Sequence, residues 1–154
     1  MDLYINLVYP WTMSTALAPT RSTVSPQPVP VQALAAAGLR AFAGIAAQWG
    51  LSVDEQLRLL GDPPRSTYFA WRKHPERATL SRDTLERLSY LLGIYKALQI
   101  LLPEPEVADA WVRRPNTAPP FGGRPALDRM LAGNVADLAA VRRYLDSVRG
   151  GGWS

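Results

Sequence analysis

Residues 52–73 read SVDEQLRLLGDPPRSTYFAWRK, and this stretch decides the fold. Ser52 lies three positions before Glu55, which is the spacing of a capping box, in which the side chain of each residue accepts a hydrogen bond from the backbone N–H of the other. Leucines follow until Gly61, a residue type that commonly ends helices. We therefore predict a short helix between Ser52 and Gly61.

A second short helix follows along the chain. Asp62 is placed to cap it, and Pro63 fits its first turn, because the backbone N–H that proline lacks would have no partner there. The helix is expected to continue over residues 65–73 and to stop at His74, which precedes a proline. Two short helices joined at a glycine predict a helix-turn-helix.

The segments on either side are also helical. Apolar residues recur at three- and four-residue intervals from Gln32 to Gly50, and Ser81 is placed to cap a long helix. That long helix is apolar on most sides, so it either lies at the centre of the monomer or meets a second subunit. We predict a homodimer seam and keep central packing as the alternative. The apolar residues concerned are Leu85, Leu88, Leu91, Leu92, Ile94, Tyr95, Leu98, Ile100, Leu101 and Leu102.

The last fifty residues continue the helical pattern. We predict a helix near residues 107–113, a Pro/Gly-rich loop over residues 115–125, and a short helix from Pro125 to Gly133. Asn134 is placed to cap a final helix, one face of which is apolar. The residues of this face are Val135, Leu138, Val141, Leu145 and Val148.

These patterns predict an all-α protein in three parts. Residues 1–32 hold five of the 14 prolines among Ser, Thr and Gln, and we expect a disordered tail there. If translation starts at Met13, the apolar segment before it is not part of the protein. The alternative is that this segment is present and pairs with a partner. Residues 33–102 form the helix-turn-helix and dimerisation domain, and residues 103–154 form a small helical domain.

The composition excludes many activities. The chain has no cysteine and one histidine, which rules out disulfides, thiolate zinc sites and centres built on two imidazoles. No segment reaches the roughly 18 uninterrupted apolar residues of a membrane span, and the first residues lack the basic start of a secretory signal. We predict a cytoplasmic protein that is not an enzyme, uses no cofactor or metal, and does not enter a membrane.

The basic excess lies in the helix-turn-helix domain. Residues 32–102 carry nine Lys/Arg and six Asp/Glu, whereas the charges of the rest of the chain nearly balance. This excess is compatible with promoter DNA as a partner, although a solvated arginine-rich face explains it equally well. The candidate DNA-binding residues lie on the second short helix and are Arg65, Ser66, Thr67, Tyr68, Arg72 and Lys73.

Four segments resemble the MbcA/ParS/Xre antitoxin family. They are LLGDPPRSTYFAWRK (59–73), LSRDTLERLSYLLGIYKALQILLP (80–103), AWVRRPNTAPPFGGRPALDRML (110–131) and VRRYLDSVRGGGW (141–153). The resemblance implies an Xre-like helix-turn-helix bundle followed by a toxin-binding domain. It further implies a toxin partner with a RES domain, whose gene lies next to the gene of this chain. Such a toxin consumes NAD, either by degrading it or by ADP-ribosylating a protein. In some members of the family the helix-turn-helix also represses the operon.

The resemblance is sharpest in the toxin-binding domain, and the candidate contact residues there are Trp111, Asn116, Phe121, Gly122, Gly123 and Tyr144. The alternative for the three aromatic residues of this set is a place in the core, where aromatic residues are usually found. One departure from the family pattern is the paired Pro63-Pro64, where a single helix-starting residue is more common.

The C-terminal end is a candidate inhibitory element. Three glycines follow Arg149 and separate the last predicted helix from Trp153 and the carboxylate of Ser154. Such an end can enter a cleft that the folded domain is too wide to enter, and we include Arg149, Gly151, Gly152, Trp153 and Ser154 among the toxin-binding residues. The alternative is an end that frays or folds back on its own domain. The alternative function is that of a helix-turn-helix regulator without a toxin partner.

Overall fold

The computed structural model describes residues 28–150, and this part of the chain is all-α, as predicted. It contains seven α-helices and no β-strand. We number the helices α1 (Val31–Gln48), α2 (Val53–Leu59), α3 (Arg65–Lys73), α4 (Arg82–Leu101), α5 (Pro105–Ala110), α6 (Ala126–Met130) and α7 (Val135–Arg149). The described residues also contain two short 3-10 helices, at Pro75–Arg77 and Trp111–Arg113.

The predicted tail lies outside the described residues up to position 27. Its last two positions, Val31 and Gln32, are already part of α1, so the helix begins slightly earlier than the sequence pattern indicated. No helix between residues 28 and 150 is both long and apolar enough to cross a membrane.

The capping box that predicts α2 is confirmed. The Ser52 hydroxyl accepts a hydrogen bond from the Glu55 backbone N–H at 3.1 Å, and the Ser52 N–H donates to Glu55 Oε1 at 2.9 Å. These bonds satisfy two backbone donors that the first turn of a helix leaves without partners.

The predicted cap of α3 is wrong. Gly61 and Asp62 both adopt left-handed backbone angles, with φ of 90° and 57°, and this turn delays the start of α3 until Arg65. Asp62 accepts a hydrogen bond from Arg58 at 2.7 Å instead, and Pro64 occupies the cap position without a side-chain hydrogen bond. The turn therefore contains two residues in the left-handed conformation, Gly61 and Asp62, and not the glycine alone.

Helix α4 lies at the centre of the molecule. It packs against α1 on one side and α7 on the other, and Leu91, Ile94 and Leu98 are fully buried. Much of the apolar surface that suggested a dimer seam is thus covered within one chain. Ile100, which is 52% exposed, and the half-buried Leu92 are not fully covered, and the dimer stays a prediction.

The C-terminal helices follow the predicted order with small differences. Helix α5 begins at Pro105, two residues earlier than expected, and tightens into a 3-10 turn at Trp111. Asn134 precedes α7 as predicted, but its side chain donates to Asp137 at 3.2 Å rather than capping the helix. The apolar face of α7 is buried at Leu138, Val141 and Leu145, whereas Val148 is 48% exposed.

Three arginines join the helix-turn-helix half to the C-terminal half. Arg113 donates to the carbonyls of Trp49 and Gly50 at 2.8 and 2.7 Å, just after the end of α1. Arg58 donates to Leu131 and Ala132 at 3.1 Å each, and Arg87 donates to Gly133 at 3.0 Å, just after the end of α6. Carbonyls at helix C-termini lack helical partners and carry partial negative charge, so guanidinium groups suit them well.

Candidate functional site

The loop over residues 115–125 is a closed ring. Pro115 and Pro125 are bridged across its neck, and the Asn116 carbonyl accepts the Gly123 N–H at 2.8 Å, while the Asn116 N–H donates to the Arg124 carbonyl at 3.2 Å. The Asn116 side chain accepts the Ala118 N–H at 2.9 Å. The predicted contact residue Asn116 therefore holds the shape of the loop through three hydrogen bonds.

Gly122 and Gly123 form the turn of this ring. Their φ angles are 56° and 87°, the left-handed region in which glycine is favoured. A Cβ atom built on either residue would meet nothing within 4 Å. These glycines are required by the backbone and not by close packing, and the turn faces open space where a partner has access.

The three candidate aromatic residues lie together behind the ring. The Trp111 and Tyr144 rings are stacked, with an angle of 17° and centroids 6.4 Å apart. Phe121 packs edge-on against both, at 5.8 Å from Trp111 and 5.1 Å from Tyr144. Edge-to-face and offset-stacked pairs are favourable geometries for aromatic rings.

The prediction that Phe121 contacts the toxin is wrong, because its side chain is only 5% exposed. Its ring is covered by the other two aromatic side chains, and its role is to hold the loop on α7. Trp111 and Tyr144 are half-buried, so each presents part of its ring to the surface.

An apolar cleft of about 150 Å³ lies beside the aromatic cluster. It runs between the end of α4 and the last turns of α7, and Trp111 and Tyr144 line one wall. The remaining walls are formed by Leu98, Leu101, Leu102, Leu145 and Val148. Arg149 is exposed at the end of α7, next to this cleft, and the candidate residues Gly151, Gly152, Trp153 and Ser154 lie outside the described residues.

The second candidate surface is the outer face of α3, and Tyr68 does not belong to it. Tyr68 is 1% exposed, and its hydroxyl donates to Gln56 Oε1, while Gln56 Nε2 donates to the Leu51 carbonyl at 2.9 Å. Burial raises the pKa of Tyr68, and the nearby Arg72 offsets this only in part. The prediction of Tyr68 as a DNA contact is therefore wrong, and the residue instead ties α3 to α2.

The other predicted residues of α3 face outward. Arg65, Ser66, Arg72 and Lys73 are exposed, and Thr67 is half-buried. Arg65 forms an ion pair with the exposed carboxylate of Asp54 on α2. No carboxylate of residues 28–150 lies within 4.0 Å of the Arg72 or Lys73 charge, so these two cations are available to a polyanion.

Sequence reasoning missed one residue of this face. Phe69 is 44% exposed in the middle of α3, although it is a large aromatic side chain. Phe69 is four positions from both Arg65 and Lys73, which places it on their face of the helix, but its hydrophobicity favoured the interpretation that it is buried in the core. Among the described residues, no group of three or more His, Asp or Glu side chains is arranged to hold a metal ion.

Two stretches of the chain match models of known families. Residues 30–93 match the antitoxin Xre-like helix-turn-helix domain. Residues 97–151, which contain the closed loop, the aromatic cluster and the cleft, match the antitoxin Xre/MbcA/ParS C-terminal toxin-binding domain. The protein is thus of the antitoxin class, whose members bind a toxin and are not enzymes.

The chain belongs to the Xre/MbcA/ParS antitoxin family, and its toxin-binding domain implies a toxin partner. It is also 54% identical over 115 residues to the "uncharacterized protein y4oB" of Sinorhizobium fredii (strain NBRC 101917 / NGR234). The shared region covers 75% of this chain and 86% of that relative. The predicted helix-turn-helix and toxin-binding architecture is confirmed.

Proposed function

We propose that this antitoxin neutralises a RES-domain toxin encoded next to it and does so by placing its C-terminal end in the toxin's active site. The observation that supports this proposal is the shape of α7. The helix is anchored through Leu138, Val141 and Leu145, but its last turn is exposed at Val148 and Arg149. A rigid helix that ends in an exposed turn can direct the following residues into a partner.

The residues after α7 suit insertion into a cleft, because three glycines precede the large aromatic residue Trp153. An aromatic side chain that fills a pocket commonly contributes about 2 kcal/mol or more to binding. The exposed loop at Gly122 and Gly123 and the outer face of α7 would supply further contact area, of the order of 1,600 Å² in total for an ordinary stable complex.

Truncation tests this division between binding and inhibition. The full chain is coexpressed with the neighbouring toxin and compared with a chain that lacks residues 151–154. We expect the truncated antitoxin to copurify with the toxin, while the toxin regains its NAD-consuming activity. The matched control is removal of residues before Val31, which should leave both binding and protection intact. A truncated chain that protects as well as the full chain would show that the end is not the inhibitor.

We further propose that the protein represses its own operon, and the outward face of α3 supports this second function. Arg72 and Lys73 suit phosphate contacts, and Arg65 can exchange its exposed ion pair with Asp54 for DNA at little cost, since such surface pairs contribute about 0–1 kcal/mol. Both functions place the protein in the cytoplasm. The match of residues 97–151 to a toxin-binding domain disfavours a regulator without a toxin partner.

The DNA proposal is tested with the double variant Arg65→Ala/Arg72→Ala. On a duplex taken from the region upstream of its coding sequence, the variant should bind more weakly and with a shallower dependence on salt, because fewer counterions are released. Toxin neutralisation should persist, which serves as the control for folding. Equal affinity of the double variant and the unmodified protein would make this face merely solvated.

A further inference from the structure

Phe69 occupies the centre of the outward face of α3. Residues three and four positions apart lie on the same side of a helix, so Phe69 is adjacent to Arg65, Ser66, Arg72 and Lys73, all of which are exposed. The two neighbouring aromatic residues, Tyr68 and Trp71, are buried at 1% and 9% exposure. Phe69 is thus the one aromatic residue of α3 that the fold leaves 44% open to solvent.

The ring of Phe69 is held on a rigid base. Its centroid lies 5.9 Å from that of Tyr68, with a tilt of 46° between the rings. Tyr68 is itself fixed by its hydrogen bond to the buried Gln56. A side chain supported in this way loses little freedom when a partner covers it, which is the condition for a strong contact.

The surroundings indicate the chemistry of the partner. An apolar ring is bordered by cations, and neither Arg72 nor Lys73 has a carboxylate partner within the described residues. The complementary surface is polyanionic at its rim and carries an apolar group at its centre. Duplex DNA has this arrangement in the major groove, where the C5 methyl of thymine projects between the two phosphate backbones. The second helix of a helix-turn-helix is the element that enters this groove.

We propose that Phe69 is a specificity-determining residue that contacts the C5 methyl group of a thymine in the major groove. Arg65, Arg72 and Lys73 then contact phosphates around it and set the position of the helix. The inference rests on the proposed binding of DNA by α3. Stacking on a base is not part of it, because the faces of paired bases are covered in a duplex.

The experiment uses the full chain and a pool of random-sequence DNA duplexes. The enriched sequence is resynthesised with deoxyuridine in place of each thymine in turn, which preserves base pairing and removes one methyl group. At one thymine we expect the affinity of the unmodified protein to fall roughly fourfold, the effect of exposing one buried methyl-sized group. In Phe69→Ala the affinity for the thymine duplex should fall, and deoxyuridine at that position should have no further effect.

Arg72→Ala is the matched control on the same face. It should weaken binding to all duplexes and keep the full deoxyuridine effect, because a phosphate contact carries no direct sequence information. Phe69 lies outside the core and is 44% exposed, so its replacement should lower the thermal unfolding midpoint only slightly, and this measurement verifies that the variant is folded.

The outcomes separate the two proposals. Retention of no duplex from the pool would overturn DNA binding together with this inference, whereas retention without enrichment of any sequence would overturn this inference alone. A deoxyuridine effect that persists in Phe69→Ala would overturn the role of Phe69 alone. A Phe69→Ala variant that keeps its DNA specificity but no longer copurifies with the toxin would assign the ring to a protein interface instead, which also overturns the inference.

Discussion

Glu55 links a local helix cap to the contact between the two halves of the molecule. Its carboxylate accepts the Ser52 N–H at 2.9 Å and a hydrogen bond from Arg113 at 3.2 Å. The same guanidinium donates to the carbonyls at the end of α1. Burial raises the pKa of Glu55, but the hydrogen bonds and the positive charge of Arg113 outweigh it, so the pKa lies below its ordinary value of 4.5.

This shift predicts a loss of stability in acid. Because the pKa of Glu55 is lower in the folded than in the unfolded chain, its contribution is fully present above about pH 4.5 and disappears as the pH falls through the folded value. Glu55→Gln should lower the free energy of unfolding at pH 7 by about 1 kcal/mol, since a charged hydrogen bond is replaced by a neutral one. It should also flatten the decline below pH 4.5.

Urea unfolding at a series of pH values measures both effects. The control is Glu86→Gln, at an exposed position of α4 that forms no ion pair within the described residues. If the two variants showed the same pH dependence of stability, Glu55 would not be coupled to Arg113 in solution.

At the scale of the element, Gly123 tests the shape of the toxin-binding loop. Its φ of 87° is strained for any residue with a side chain, although a Cβ would have space. Gly123→Ala should therefore destabilise the protein by about 1–3 kcal/mol through backbone strain alone. The measurement is the change in the free energy of unfolding in urea.

Gly44→Ala provides the opposite case. Gly44 lies within α1, and a Cβ there also meets nothing within 4 Å, so the same substitution should stabilise the protein by about 0.5–1 kcal/mol. Because neither new Cβ meets a neighbour, changes of opposite sign in the free energy of unfolding would arise from the backbone angles alone. A stabilising Gly123→Ala would mean that the loop adopts another conformation in solution.

The sequence predicted these elements well because their signals are local. The capping box at Ser52 spans three residues, and the bounds of α3 at Lys73 and of α4 after Ser81 follow from nearby prolines and caps. The start of α3 was misplaced because it depends on the left-handed conformation of Asp62, which that residue type adopts only in some turns.

The candidate site was harder to predict because its geometry depends on distant residues. Arg58 bonds carbonyls 73 and 74 positions away, and Arg113 reaches back 64 positions to Trp49. No periodic pattern predicts such pairs. The burial of Tyr68 likewise depends on its hydrogen bond to Gln56 on another helix. The sequence therefore indicated the correct helix and most of its outward face, but it misassigned Tyr68 and missed Phe69.

At the scale of the whole molecule, residues 28–150 leave an apolar groove uncovered between α1 and α4. It encloses about 360 Å³ and is lined by Leu85, Leu88 and Leu92 of α4 and by Leu34 of α1. Leu34 is 55% exposed and Val31 is 66% exposed at its rim. Exposed apolar surface that runs along two helices is typical of an interface between subunits, and Leu85, Leu88 and Leu92 are among the α4 residues from which the sequence predicts a dimer.

We therefore expect a homodimer that Leu34→Glu separates. Leu34 lies outside the core, so its replacement should leave the monomer folded, whereas a carboxylate buried at the interface would have no partner and would cost several kcal/mol. The control is Ala47→Glu, which adds the same charge at an exposed position near the other end of α1. Light scattering at micromolar concentration should give twice 16.9 kDa for the unmodified chain and for the control, and 16.9 kDa for Leu34→Glu. A monomeric mass for the unmodified chain would overturn the dimer, and a dimeric Leu34→Glu would move the interface away from this groove, towards the exposed Ile100 at the other end of α4.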